Sequence, residues 1–372
     1  MGFSIPAYDY PQSSLEDGYW APVTSTINWC EGNNYTTQNP NYYATRYSAE
    51  IVNTLTNILF IILGIKGLRN CMKYKHDSVF AVAFTGYLVV GIGSFAFHAT
   101  LKCSKYIIEL LNSMQLVDEL SMIYTVCLMC YATFSYARSR LFQQILGFSL
   151  LFLSISITVR HSFETWIDKL GLIFNNSYNP TFHQVAFAIL ITVVLLRSMY
   201  LMEFKIRRSL RERHASVLQK NLDVSVTSKC MREVRRDLDI LNRMWVMVGF
   251  GLMIFLAGFA IWNLDNKYCL LLRHWRHQIG LPWGILLEGH GWWYVHYSLR
   301  STNNRYAWSL MIHRHLMTGL GTYIYIVWGV WLRYYLDNRQ RDFGLRWPSL
   351  FFSLPEVVSF SQVEGMTVAK NK

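Results

Sequence analysis

Charge is scarce in this sequence. Asp, Glu, Lys and Arg make up 16% of the 372 residues, against about 25% in a soluble domain. So few charged groups cannot clothe an ordinary water-soluble surface, and 52% of the residues are hydrophobic. Acidic charge is the scarcer sign, and the net charge is +12. The excess is not a nucleic-acid footprint, because the basic residues sit in short stretches between apolar runs. The first thirty residues have neither a basic n-region nor an apolar core, so no cleavable signal peptide is expected. No internal repeat of the transporter kind is present. The boundary after the third apolar run reads SYARSR, without the acidic-Arg-Tyr triplet of a G-protein-coupled receptor. Of the seven cysteines, five lie in or beside apolar runs or in a basic loop, where a buried free thiol is the ordinary reading.

What remains is the pattern of a polytopic membrane protein. Apolar runs of spanning length occur at 49–68, 79–100, 119–137, 141–159, 182–202, 245–264 and 315–336, where a span needs about 20 residues. The expected fold is an all-α integral membrane bundle of seven transmembrane helices. Residues 1–48 form a polar N-terminal segment with one basic residue, Arg46. Lys66, Arg69, Lys73 and Lys75 follow the first span, Arg138 and Arg140 the third, and Arg333, Arg339, Arg341 and Arg346 the seventh. Between the fifth and sixth spans, residues 203–244 carry eleven Lys and Arg. With seven spans all four stretches share one side, which the positive-inside rule makes cytosolic. The N-terminus is then lumenal, and the C-terminal tail, 341–372, cytosolic. The 203–244 stretch reads as a solvated helix beside anionic lipid heads.

Two features agree with that orientation. Asn34-Tyr35-Thr36 and Asn175-Asn176-Ser177 are glycosylation sequons on the predicted lumenal side. Cys30 and Cys269 fall on the same oxidising side and are predicted to pair.

Polar residues converge at one depth. Ser94 and His98 are four apart and share a helical face. Asp118, with Glu119 beside it, opens the next apolar run. His290, in EGHGWW, and His315, in HRHLMTGLGTY, come near the start of the seventh span. Topology places all of them at the lumenal end. Ionisable groups inside a membrane are costly and mark functional sites. Three histidines and an open position make a catalytic zinc site, with a carboxylate as general base and a hydroxyl for the oxyanion. Taken singly, a histidine near a helix end is as readily an interfacial or core hydrogen-bonder as a ligand. His76, His161, His183, His214, His274 and His277 read as loop or interface residues.

TSTINWCEGN, AEIVNTLTNILF, GIGSFAFHATLK, MQLVDELSMIY, WNLDNKYC, HGWW and HLMTGLGTY together resemble the alkaline ceramidases, in the membrane-hydrolase superfamily that includes the adiponectin receptors. The resemblance runs from about residue 18 to 340. It implies a multi-pass zinc amidohydrolase of endoplasmic reticulum or Golgi membranes. The enzyme would take ceramide from the bilayer, phytoceramide and dihydroceramide included, and cleave its N-acyl amide to a sphingoid base and a fatty acid. It implies His98, His290 and His315 as zinc ligands, Asp118 as base and Ser94 as oxyanion donor. It also implies a calcium site of Asn28, Trp29 (by its carbonyl), Glu31, Asn33 and Glu50, and the Cys30–Cys269 bridge. A lipid hydrolase acting on an ester, or a non-catalytic seven-helix receptor, is the alternative; no nucleic-acid or protein partner is implied.

Three departures stand out. Asn28 replaces the family's Asp, which removes a charge and weakens calcium binding. The stretch Cys103–Ser113 is longer than in the family. Residues 294–314 interrupt HGWW and HLMTG, and deleting those 21 residues restores HGWWHLMTGLG. The interruption, polar and basic with Asn303-Asn304, conflicts with the helical text around it. It reads as an aberrant insertion into a catalytic domain spanning 49–340. If the interruption is genuine, His290 and His315 are no longer one turn apart, and His296 or His313 would be substitute ligands.

Overall fold

The computed structural model describes residues 19–20, 30, 45, 47–101, 114–169, 181–219, 224–287, 293–294, 311–312, 314–350 and 352–361. Within them the chain is mostly helical. A short α1 (Ile51–Thr56) leads into α2 (Ile58–Tyr74), α3 (Ser78–Thr100), α4 (Met114–Phe134), α5 (Arg140–Lys169) and α6 (Thr181–Tyr200). A π-helical segment, Leu201–Arg207, joins α6 to α7 (Arg208–Gln219). Then come α8 (Val224–Lys267), α9 (Cys269–Ile279) and a 3-10 turn, Trp283–Leu287. A two-residue pair, β1 (Trp293–Tyr294) and β2 (Met311–Ile312), precedes α10 (Arg314–Leu336). A final hairpin is made of β3 (Phe343–Arg346) and β4 (Glu356–Ser359).

Among the described residues, five helical stretches are long and apolar enough to cross a membrane: Ile51–Tyr74, Ser78–Thr100, Arg140–Arg160, Val185–Gln219 and Ser225–Lys267. Two further helices, α4 and α10, coincide with the predicted runs 119–137 and 315–336. The basic stretch 203–244 is largely helical, since α6 runs on into α7 and α8 continues unbroken for 44 residues. Hydropathy marks only the apolar part of such helices. Their polar extensions gain from i,i+4 pairs such as Arg207–Glu203 at 2.7 Å and Arg208–Glu212 at 2.9 Å, each worth a few tenths of a kcal/mol, about 0.3–0.5.

Small residues set the helix crossings. Phe60 of α2 lies against Gly91 of α3 and Gly319 of α10. Gly251 of α8 lies against Gly321 of α10. A Cβ at Gly91 would stand 2.6 Å from Phe60 Cβ and 3.2 Å from the Ile61 backbone nitrogen, and the latter cannot yield. Gly91→Ala is therefore expected to destabilise the bundle by about 1–3 kcal/mol. Thermal unfolding in detergent measures this, and an unchanged midpoint would contradict so close a crossing.

Candidate active site

The last carbonyls of any α-helix have no partner within the helix. At the end of α3 the chain supplies partners from far upstream. The Ala49 N–H donates to Ala99 O at 2.9 Å, and the Glu50 N–H donates to His98 O at 3.0 Å. Leu101 then turns the chain away with φ 46°. This backbone clasp brings the Glu50 side chain onto the His98 ring, Oε2 to Nδ1 at 2.5 Å. Both are shut away from solvent, His98 at 1% and Glu50 at 0% exposure. Asn53 Nδ2 donates to the same carboxylate oxygen at 3.1 Å. Ser94, one turn before His98 on α3, is buried too.

The clasp is itself braced. The Thr54 hydroxyl donates to Glu50 O at 2.6 Å and contacts the Ser48 hydroxyl at 3.0 Å. Upstream, Cys30 is bonded to Cys269, with Cα atoms 5.5 Å apart, as its predicted side of the membrane implies. Two arginines of α9 hold the Cys30 carbonyl, Arg276 Nη1 at 2.8 Å and Arg273 Nε at 3.0 Å. Arg276 also pairs with Asp265 of α8 at 3.5 Å. Cys30 is thus tied to α9 by a covalent bond and by two arginines.

Helix packing carries the other predicted residues toward that end. Gly86 of α3 meets Thr125 of α4, while Phe80 and Met129 both flank Gly329, so α3 and α4 run antiparallel. His98 lies about 18 Å beyond Gly86 and Asp118 about 10 Å beyond Thr125, in the same direction. His315 stands in the first turn of α10, about 6 Å before Gly319. Tyr87 of α3 donates to Gly319 O at 2.9 Å, which keys α10 to α3. Hence the helix ends that carry His98, Asp118 and His315 are at one end of the bundle.

The side chains of Asp118 and His315 lie outside the described residues, as do Asn28, Trp29, Glu31, Asn33 and His290. Among the described residues no three ligand-type side chains gather. The feature that sequence reasoning did not find is the Glu50–His98 pair. Its signal was present in the polar run Glu50, Asn53, Thr54, Thr56 and Asn57, all buried at the start of an apolar helix. Such groups inside a membrane segment need an internal partner.

A family model described as Ceramidase matches residues 21–303, ending inside the 294–314 interruption. Alkaline ceramidase 3 of Mus musculus is 29% identical over 346 residues, covering 90% of this chain and 95% of its own. Alkaline ceramidase YPC1 of Saccharomyces cerevisiae (strain ATCC 204508 / S288c) is 29% identical over 357 residues, covering 94% and 89%. An Arabidopsis thaliana alkaline ceramidase is 32% identical over 117 residues, covering 32% and 39%. The buried Glu50–His98 pair therefore sits within the matched stretch, and with most of its length matched the chain belongs to the ceramidase family.

Proposed function

We propose that this protein is a zinc-dependent amidohydrolase that cleaves the N-acyl amide of ceramides. The observation that carries the reading is the buried carboxylate–imidazole pair at the end of α3. A histidine that ligates a metal commonly gives its other ring nitrogen to a carboxylate, which sets tautomer and orientation. His98 meets that description at one nitrogen: Glu50 engages Nδ1, and Nε2 would be the metal donor. Buried neutral imidazoles suit zinc, so the donor chemistry fits. His290 and His315 would complete the set.

Bound zinc would polarise the amide carbonyl and make a water acidic enough to attack near neutral pH. The protein's own residues do the rest. Asp118 would accept the proton of the attacking water and return it to the amide nitrogen as the C–N bond breaks. The Ser94 hydroxyl would donate to the oxyanion. Glu50 would hold the ring proton on Nδ1, so that Nε2 carries the lone pair, and would fix the ring's angle. The products would be a sphingoid base and a fatty acid.

Glu50 would also serve a calcium ion with Asn28, the Trp29 carbonyl, Glu31 and Asn33. The oxygen donors suit a hard cation, and the pinning of Cys30 among these residues supports the grouping. Asn28 lowers the ligand charge and so the affinity. The bundle would span the membrane seven times, N-terminus lumenal and C-terminus cytosolic, in the endoplasmic reticulum or Golgi.

Glu50→Gln keeps the shape and removes the charge. It is expected to lower ceramide turnover, zinc affinity or both by about 10–100-fold. Purified protein assayed on a ceramide panel, with zinc content measured alongside, tests this. Turnover and zinc content equal to the parent would remove Glu50 from the site.

A further inference from the structure

At the bundle end opposite His98, a small cleft gathers hydrogen-bond donors that lack acceptors. α3 begins there, and α4, α6 and α10 end there. Phe80, Met129, Leu201 and Leu332 give the cleft a carbon wall, and Trp328 and Arg333 of α10 also line it. The cavity holds about 20 Å³, the room that one water-sized group needs.

Helical spacing puts the donors on one strip of α10. Tyr325, Trp328, Leu332, Arg333 and Leu336 recur at steps of three and four and share a face. Among the described residues, Trp328 Nε1 and the Nε and Nη1 of Arg333 are buried without an acceptor. Trp328 is only 1% exposed. A buried donor left unpaired is costly, and native proteins keep few of them. Asp77 and Asp337 each lie 3.6 Å from the Arg333 guanidinium. That is close enough to attract it and too far to hydrogen-bond. Both carboxylates are more than a third exposed, where solvent and salt screen them.

The mouth of the cleft adds positive charge. Tyr136, just past α4, donates its hydroxyl to Leu336 O, which fixes its ring at the end of α10. Lys205 Nζ stands 4.6 Å and Arg333 Cζ 5.0 Å from the centre of that ring. Two cations within roughly 10 Å, about a Debye length, repel each other. Arg197 supplies a third beside the wall residue Ser198; its guanidinium lies 5.3 Å from the Phe134 ring. Its Nε is likewise buried without an acceptor. The π-helical segment Leu201–Arg207 carries both Lys205 and the wall residue Leu201. Such segments are rare and are frequent at functional sites.

A water in the cavity gives Trp328 an acceptor but leaves the cations at the mouth unanswered. A phosphate answers both, since a guanidinium fork and an ammonium are its usual partners. The carbon wall beside the donors suits a hydrocarbon attached to that phosphate. We propose that this cleft binds the phosphate of an anionic phospholipid. One oxygen enters toward Trp328, and the others stay with Arg333 and Lys205. The lipid then bridges α6 to α10, the helix that carries His315. The site is independent of the hydrolase reading, and its test reads binding alone.

Native mass spectrometry of the full chain in detergent, titrated with phosphatidic acid, phosphatidylcholine or inorganic phosphate, tests it. The parent is expected to bind one phosphatidic acid at least about tenfold more tightly than phosphatidylcholine, the scale of one hydrogen bond to a charged group. Lys205→Met removes the ammonium, and Trp328→Phe removes the indole N–H. Each is expected to weaken phosphatidic acid about tenfold, on the same scale. Lys229→Met, which removes an exposed cation of α8, is expected to leave the affinity unchanged. Lys205→Met carries the test if Trp328→Phe does not fold. Equal affinity for the two lipids, parental affinity in folded Lys205→Met, or an equal loss in Lys229→Met overturns the site and leaves a water as its occupant. Inorganic phosphate that binds as tightly as phosphatidic acid, with the same loss in Lys205→Met, overturns the lipid and leaves a site for free phosphate.

Discussion

His98→Ala is expected to reduce ceramide turnover about a thousandfold and to strip zinc from the protein. A Lewis acid at the carbonyl supplies several kcal/mol of transition-state stabilisation, and about 1.4 kcal/mol is a factor of ten. The loss should come from chemistry rather than unfolding. Asn53 still donates to the Glu50 carboxylate at 3.1 Å, and the clasp on α3 uses the backbone of residue 98, which alanine keeps. Zinc content of the folded, monodisperse variant separates the two effects. The hydrolase reading fails if His98→Ala keeps turnover within about tenfold of the parent, because uniform binding losses of that size need no metal.

Deleting residues 294–314 is expected to have the second largest effect, and in the opposite direction. In the full chain His290 and His315 are far apart in sequence; the deletion sets them four apart, on one helical face. The structure is prepared for the excision. Trp293 pairs with Ile312 and Tyr294 with Met311, so the interrupting segment leaves and returns at one place. Paired residues on adjacent strands are about 4.5–5.5 Å apart, and closing that gap requires little movement of α10. Catalytic groups brought from loose to fixed geometry gain rate on the scale of about a hundredfold. Membranes carrying the chain with and without residues 294–314, assayed on the same ceramide panel, measure the gain. An active full chain beside an inactive deletion would make the segment part of the enzyme. Peptides spanning Trp293 directly to His315 in the native protein would show that the segment is absent there, and abundant peptides across Ser301–Trp308 would show the reverse.

Much of the helical plan was legible because it is written locally. Runs such as 79–100 and 141–159 match α3 and α5, since apolar length alone marks a span. The basic stretch 203–244 was harder. Charge pattern and hydropathy distinguish lipid from water, and they do not distinguish a loop from a helix that simply continues into solvent. The hairpin at 343–359 was hidden for a related reason. Its strands are four residues each, too short to show an alternation. Its inward face is defined only by α2, α8 and α10.

The candidate site divides in the same way. Ser94 and His98 are one turn apart, and helical periodicity places them on one face without further information. The Cys30–Cys269 bridge followed from topology, which the loop charges encode. The Glu50–His98 pair did not follow from either. Its members are 48 residues apart, on different elements, and what joins them is the unfilled hydrogen-bonding capacity at the end of α3. Local periodicity and hydropathy act over a turn or a span, so the sequence could declare the helices, their polar faces and the family. Which carboxylate would lie on which imidazole, and that α10 would be sheathed by the chain's own C-terminal hairpin, depended on backbone groups meeting across the bundle. Only the tertiary structure brings those groups together.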